Sequence, residues 1–180
     1  TVCGRVKDSY LPDLIALQDS WEQLRRSNRT ITLQNLIELG HMHEVLVGKW
    51  LFYAETGLKI DPLWSLVAKG VHSGVLPALS AKVSPTGEYG GDKDTSHVVC
   101  IYNEDFTDID SVMELESAIR KIGIKSQLFY KPDIFTYLGI YRNNEWGLRP
   151  SVYTSVFDII SGCSKMVSYN SDLTFGSSPN

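Results

Sequence analysis

Apolar positions along the chain keep a helical spacing at first and then change period. Leu11, Leu14, Ile15 and Leu17 lead into Trp21 and Leu24 at helical intervals. Thr32 then opens a second helical stretch through Leu33, Leu36, Ile37 and Leu39, with Gly40 as its stop. From about Val47 strands and helices alternate. Gly48 to Tyr53 reads as a strand rich in aromatics. Asp61 caps the next helix with Pro62 at its first position. That helix carries Leu63, Trp64, Val67 and Val71, and Gly74 ends it.

Leu79 to Val83 is a short strand, with Lys82 between Ser80 and Ser84 on its polar side. A loop of Gly and charged residues, Pro85 to Thr95, separates it from a central strand, His97 to Tyr102. Thr107, Asp108 and Asp110 open a helix with the apolar face Val112, Leu115, Ile119 and Ile122, stopped by Gly123. Gln127 to Lys131 and Tyr137 to Tyr141 are predicted as two further strands joined through Pro132-Asp133, and Asn143-Asn144 as a turn. After Tyr153 the pattern fades, and residues 168–180 read as a polar tail. The short hops between late strands favour antiparallel neighbours. The order predicts one α+β domain over residues 1–167, a mostly antiparallel sheet backed by helices. Its helical region spans 9–45 and its sheet-and-helix body 46–155.

A net charge of −4 argues against a protein that coats nucleic acid by bulk electrostatics. It leaves room for a local basic pocket. Cys3, Cys100 and Cys163 are odd in number and far apart, which points away from a disulfide framework or a zinc site. No HExxH-type signature is present, and no metal or cofactor is expected. No apolar run reaches the roughly 20 residues that cross a bilayer. With no apolar leader after Thr1, the expected location is the cytoplasm, or the nucleus. Residue 1 is not Met, so a targeting segment could precede it.

Several segments resemble the Bles (basophilic leukaemia-expressed protein) family. They are Gly48-Lys49-Trp50-Leu51, Ser80-Ala81-Lys82-Val83-Ser84, His97 to Tyr102, the long run Tyr130 to Tyr141, and Trp146-Gly147-Leu148-Arg149-Pro150. That family is similar in fold to the mRNA-cap-binding translation initiation factor of the 4E type. The resemblance implies a curved antiparallel sheet backed by helices, with a ligand groove on its concave side and extra N-terminal helices. In the cap-binding factors two Trp rings sandwich the methylated guanine. Glu88-Tyr89 stands here where one such Trp would sit, so methyl-specific cap binding is not expected. Trp64 looks like the helix Trp that those factors present to partner peptides. It can equally pack under the N-terminal helices.

The candidate chemistry is that of an anion site. Lys131 and Asp133 flank Pro132 at a strand end, and Lys82, His97, Arg142 and Arg149 could converge on the same place. Tyr137 and Tyr141, read as one strand face with Gly139 between them, would form a stacking platform for a base, together with Trp146. His97 shares a face with Val99 and Ile101, which equally describes a hydrogen-bonded core histidine. The leading expectation is a noncatalytic domain that binds a phosphate-bearing ligand such as a nucleotide or RNA end. An adaptor that uses Trp64 and the N-terminal helices to hold a protein partner is the alternative. A third reading follows from Gly91-Asp92-Lys93, His97 and Tyr130-Lys131-Pro132-Asp133, which resemble motifs of the phosphothreonine lyases. The His stands four residues after the Lys here rather than two.

Overall fold

In the computed structural model the strands form one sheet in the order β1-β3-β4-β2-β5-β6-β7, every pair antiparallel. The structure describes residues 1–3, 13–55, 59–85 and 96–169. The strands are β1 (Val2–Cys3), β2 (Gly48–Glu55), β3 (Ser80–Val83), β4 (Ser96–Asn103), β5 (Leu128–Pro132), β6 (Tyr153–Asp158) and β7 (Cys163–Ser168). The helices are α1 (Leu14–Arg26), α2 (Leu33–Met42), α3 (Ile60–His72), α4 (Ile109–Lys121) and α5 (Asp133–Tyr137). The fold is α+β with a curved antiparallel sheet, as the element order predicts.

Alternation along β2 decides which side of the sheet is covered. Gly48, Trp50 and Phe52 are buried, whereas Lys49, Leu51 and Tyr53 point the other way. On the covered side the Trp50 indole donates to the Val112 carbonyl of α4 at 2.9 Å. Val67 and Val71 of α3 join the same core as Val99 and Ile101 of β4 and Leu115 and Ile119 of α4. Both helices therefore back one face. α1 and α2 add Leu17, Trp21, Leu33 and Leu36 to that core.

Capping residues explain where the helices begin. Asp13 accepts from the Ile15 and Ala16 amides, Asp108 from the Ser111 amide, and Thr32 forms a reciprocal capping box with Asn35. Two expectations need adjustment and one strand is new. Asp61 is not a cap: α3 begins a residue earlier at Ile60, with Lys59 in the cap position and Asp61 in the first turn. Gly40 does not stop α2, which runs on to Met42. Its bare backbone instead lets the Phe106 ring approach within 3.3 Å of where a Cβ would stand. Val2–Cys3 pairs with β3 as an edge strand that so short a segment does not announce.

Two larger differences lie near the C-terminus. The predicted strand Tyr137 to Tyr141 is replaced by the short helix α5 and a turn. Ile134, Phe135 and Leu138 are buried at helical spacing, and Gly139 takes φ +70, a left-handed helix stop rather than a strand interior. Beyond Val152 the chain makes a hairpin, β6 and β7. Its outer half is exposed on both faces, so it shows no alternation of apolar and polar residues. Ser168 ends β7, while Leu11, Glu88-Tyr89, Gly91-Asp92-Lys93 and 170–180 lie outside the described residues.

Candidate functional site

The face of the sheet away from α3 and α4 carries the charge, and it is itself partly covered: the Lys49 and Asp133 side chains are only 12% and 15% exposed, and Cys100 and Tyr102 are buried. Ladder register places Lys49 opposite Tyr102 on one side and opposite Lys131 on the other. Lys82 lies opposite Cys100, one step along β3. Lys49, Lys82, Lys131, Cys100 and Tyr102 therefore project from four adjacent strands on the same side. The ammonium groups of Lys49 and Lys82 each stand 5.4 Å from the centre of the Tyr102 ring. Lys131 stands 4.2 Å from the centre of the Tyr141 ring. Asp133, in the first turn of α5, holds Lys49 at 2.5 Å.

Burial, and then the neighbouring Lys49 ammonium, hold Lys131 below the ordinary lysine value, with Asp133 pulling the other way. Burial pushes the Cys100 thiol up, while Lys49 and Lys82 oppose that shift. Burial also raises the Tyr102 phenol, and the Tyr137 hydroxyl lies near enough to add to the effect. The patch is thus a partly desolvated cationic surface rimmed by tyrosines.

The structure brings together Lys82, Lys131, Asp133, Tyr137 and Tyr141. It places His97 and Trp146 elsewhere. His97 is buried on the helix-backed face, where its Nδ1–H donates to the Ser84 carbonyl at 2.9 Å. Trp146 does not project from the open sheet face: its ring meets Trp21 of α1 edge-on at 4.8 Å, with the Arg25 guanidinium 5.6 Å above it. Arg142 and Arg149 lie exposed on the connection between α5 and β6, and Arg149 stacks on Tyr169 at 4.4 Å. Trp64 is half-buried and packs against the core. Trp50 is wholly buried on the covered face, so none of the four Trp rings is set for a sandwich on the open one.

Lys49 and Tyr102 are the residues the sequence reading missed. Alternation in β2 already puts Lys49 on the side away from Trp50 and Phe52. What a single sequence lacks is the register that sets it beside Lys131. Farther along the same face Tyr53 and Phe129 meet edge-on with centroids 6.4 Å apart, and Tyr53 is 59% exposed. They add an aromatic end to a face whose other end is basic. A cavity of about 670 Å³ lies elsewhere, between the end of α3 and the segment before α4. Glu104, Asp105 and Asp108 line it. That sign does not suit a phosphate.

Residues 13–139 match the family model of the basophilic leukemia-expressed protein Bles03, and the chain belongs to that family. Among solved structures, schistosome eIF4E complexed with m7GpppA and 4E-BP is similar, at 12% identity and a TM-score of 0.45. That match covers 62% of this chain and 60% of the other, so the chain spans less than two thirds of the length of that structure. None of the described helices is long and apolar enough to cross a membrane.

Proposed function

We propose that the open face of the sheet is a noncatalytic binding site for a phosphate-bearing ligand, a nucleotide or an RNA end. The observation that carries this reading is one sheet face with Lys49 and Lys82 over the Tyr102 ring and Lys131, opposite Lys49, over the Tyr141 ring, with Asp133 paired to Lys49. Like charges opposite one another across an antiparallel pair are unfavourable. A phosphate placed among the three ammonium groups turns that repulsion into charge-assisted hydrogen bonds. Tyr137 and Tyr141 at the rim, and Tyr53 with Phe129 at the far end, offer ring faces and edges to a base. In a chain of net charge −4 such a patch also steers anions toward one face.

Affinity for a nucleoside triphosphate and for a short 5′-phosphorylated RNA, each at two salt concentrations, tests the reading. A charge-assisted contact contributes roughly 1.5–3 kcal/mol, so Lys131→Ala and Lys82→Ala should each weaken binding about tenfold or more. Lys59, paired on the surface with Glu55 at 2.5 Å, is the control, and Lys59→Ala should leave affinity unchanged. Equal small effects of Lys131→Ala and Lys59→Ala, or wild-type affinity that ignores phosphate and salt, would sink the proposal.

A further inference from the structure

One amine of the patch stands apart from the others. Lys131 and Lys49 are direct partners across the β2–β5 ladder. Side chains at such paired positions leave the sheet roughly 4.5–5.5 Å apart. Lys49 is ion-paired with Asp133 at 2.5 Å, whereas Lys131 is half-buried with its amine against the Tyr141 ring. Lys49 faces it from β2, Asp133 from α5 and Tyr141 from the connection. Lys82, Tyr102 and Cys100 lie on the far side of Lys49. A lysine that is partly desolvated and set beside a second cation gives up its proton readily, which is how amine nucleophiles are made. Burial first, and Lys49 second, favour the neutral amine. The Tyr141 ring and Asp133 favour the ammonium.

We infer that Lys131 is a reactive amine that condenses with the carbonyl carbon of a phosphorylated aldehyde while Lys49 and Lys82 hold its phosphate. The neutral amine adds to the carbonyl carbon, and the carbinolamine then loses water. A C=N bond replaces the C=O bond, one water leaves, and no oxidant or reductant is consumed. The phosphate half of this inference rests on the anion reading of the patch; the amine half does not.

Pyridoxal and pyridoxal 5′-phosphate are suitable probes, each trapped on the whole chain with cyanoborohydride and located by peptide mass spectrometry. Burial and the facing Lys49 leave more of the Lys131 amine free near neutral pH, so pyridoxal should label Lys131 several-fold faster than exposed Lys59 or Lys69. The phosphorylated probe should gain about a further tenfold at Lys131 alone, through contacts with Lys49 and Lys82. Charge changes should act with opposite signs. Lys49→Met should slow pyridoxal labelling of Lys131, whereas Asp133→Asn and Tyr141→Leu should speed it. A merely structural lysine would not respond in both directions. Pyridoxal labelling spread evenly over Lys59, Lys69 and Lys131, or indifferent to Lys49→Met and Asp133→Asn, overturns the reactive amine. Selective pyridoxal labelling without a gain from the phosphate supports the amine and overturns the phosphate half, and with it the anion reading.

Discussion

Replacing Arg120 with alanine is expected to destabilise the fold by about 3–5 kcal/mol, the range for breaking a buried ion pair from one side. Arg120 and Glu116 lie one turn apart on α4, with side chains only 8% and 7% exposed. The guanidinium donates to Glu116 at 2.9 Å, to the Ile124 and Ser126 carbonyls at 3.0 and 2.7 Å, and to the Ser155 carbonyl and hydroxyl at 3.0 and 2.6 Å. Ser155 of β6 and Ser164 of β7 in turn donate to the Glu116 carboxylate. This network fastens the C-terminal hairpin to α4. Without Arg120 a carboxylate stays buried and uncompensated, and three carbonyls lose a donor. Urea unfolding measures the loss. Arg120→Met together with Glu116→Leu should cost less than Arg120→Ala alone, because no lone charge remains. A loss below about 1 kcal/mol for Arg120→Ala, typical of exposed pairs, would contradict the assignment.

Gly48→Ala should be nearly as damaging, although it adds one methyl group. A Cβ there would lie 2.7 Å from Cζ of Tyr130 and 3.0 Å from Cβ of Phe106, and closer still to the Tyr130 hydroxyl. The Tyr130 ring cannot swing aside. Its hydroxyl donates to Asn103 Oδ1 at 2.5 Å, and the ring packs against Trp50 at 5.1 Å and Tyr153 at 5.9 Å. Overpacking costs about 1–3 kcal/mol, and leaving Asn103 and Tyr130 unpaired in the core adds about 1–3 kcal/mol. Gly48 also pairs with Pro132, one step from the Lys49–Lys131 pair. A shift there should therefore disturb the anion patch as well. Tyr130→Phe in the Gly48→Ala background removes the closest clash and should restore part of the stability. If thermal unfolding shows Gly48→Ala to be as stable as the parent, the close packing beneath β2 is wrong.

How far the sequence reveals this molecule varies by element, for physical reasons. β2 and α4 are legible because one face of each is buried and the periods of 2 and 3.6 survive in the residue pattern, and β4 because it is a short apolar run buried on both faces. The segment 133–141 misleads because its three aromatic residues and Gly139 mimic a strand, while the decisive facts are backbone ones. Pro132 is extended, α5 closes after one turn, and Gly139 sits at positive φ. The β6–β7 hairpin is silent because Ile159 and Ile160 at its tip are exposed and its anchorage, Ser155 and Ser164 on Glu116, is polar. At the site, Lys82, Lys131, Asp133, Tyr137 and Tyr141 are visible as residue types near strand ends. Lys49 becomes part of the site only through strand register, a long-range property that no local pattern encodes.

The central claim is that one sheet face, the one away from the helices, receives an anion. Amide and lysine side-chain NMR during titration with a nucleoside triphosphate tests it residue by residue. Shifts should concentrate at Lys49, Lys82, Cys100, Tyr102 and Lys131 and spread toward Tyr141 and Phe129. They should fade as salt is added. Trp50, Val112 and His97, on the covered side, should move little. Shifts centred on Trp146 and α1 instead, or none at all at millimolar nucleotide, would contradict the account.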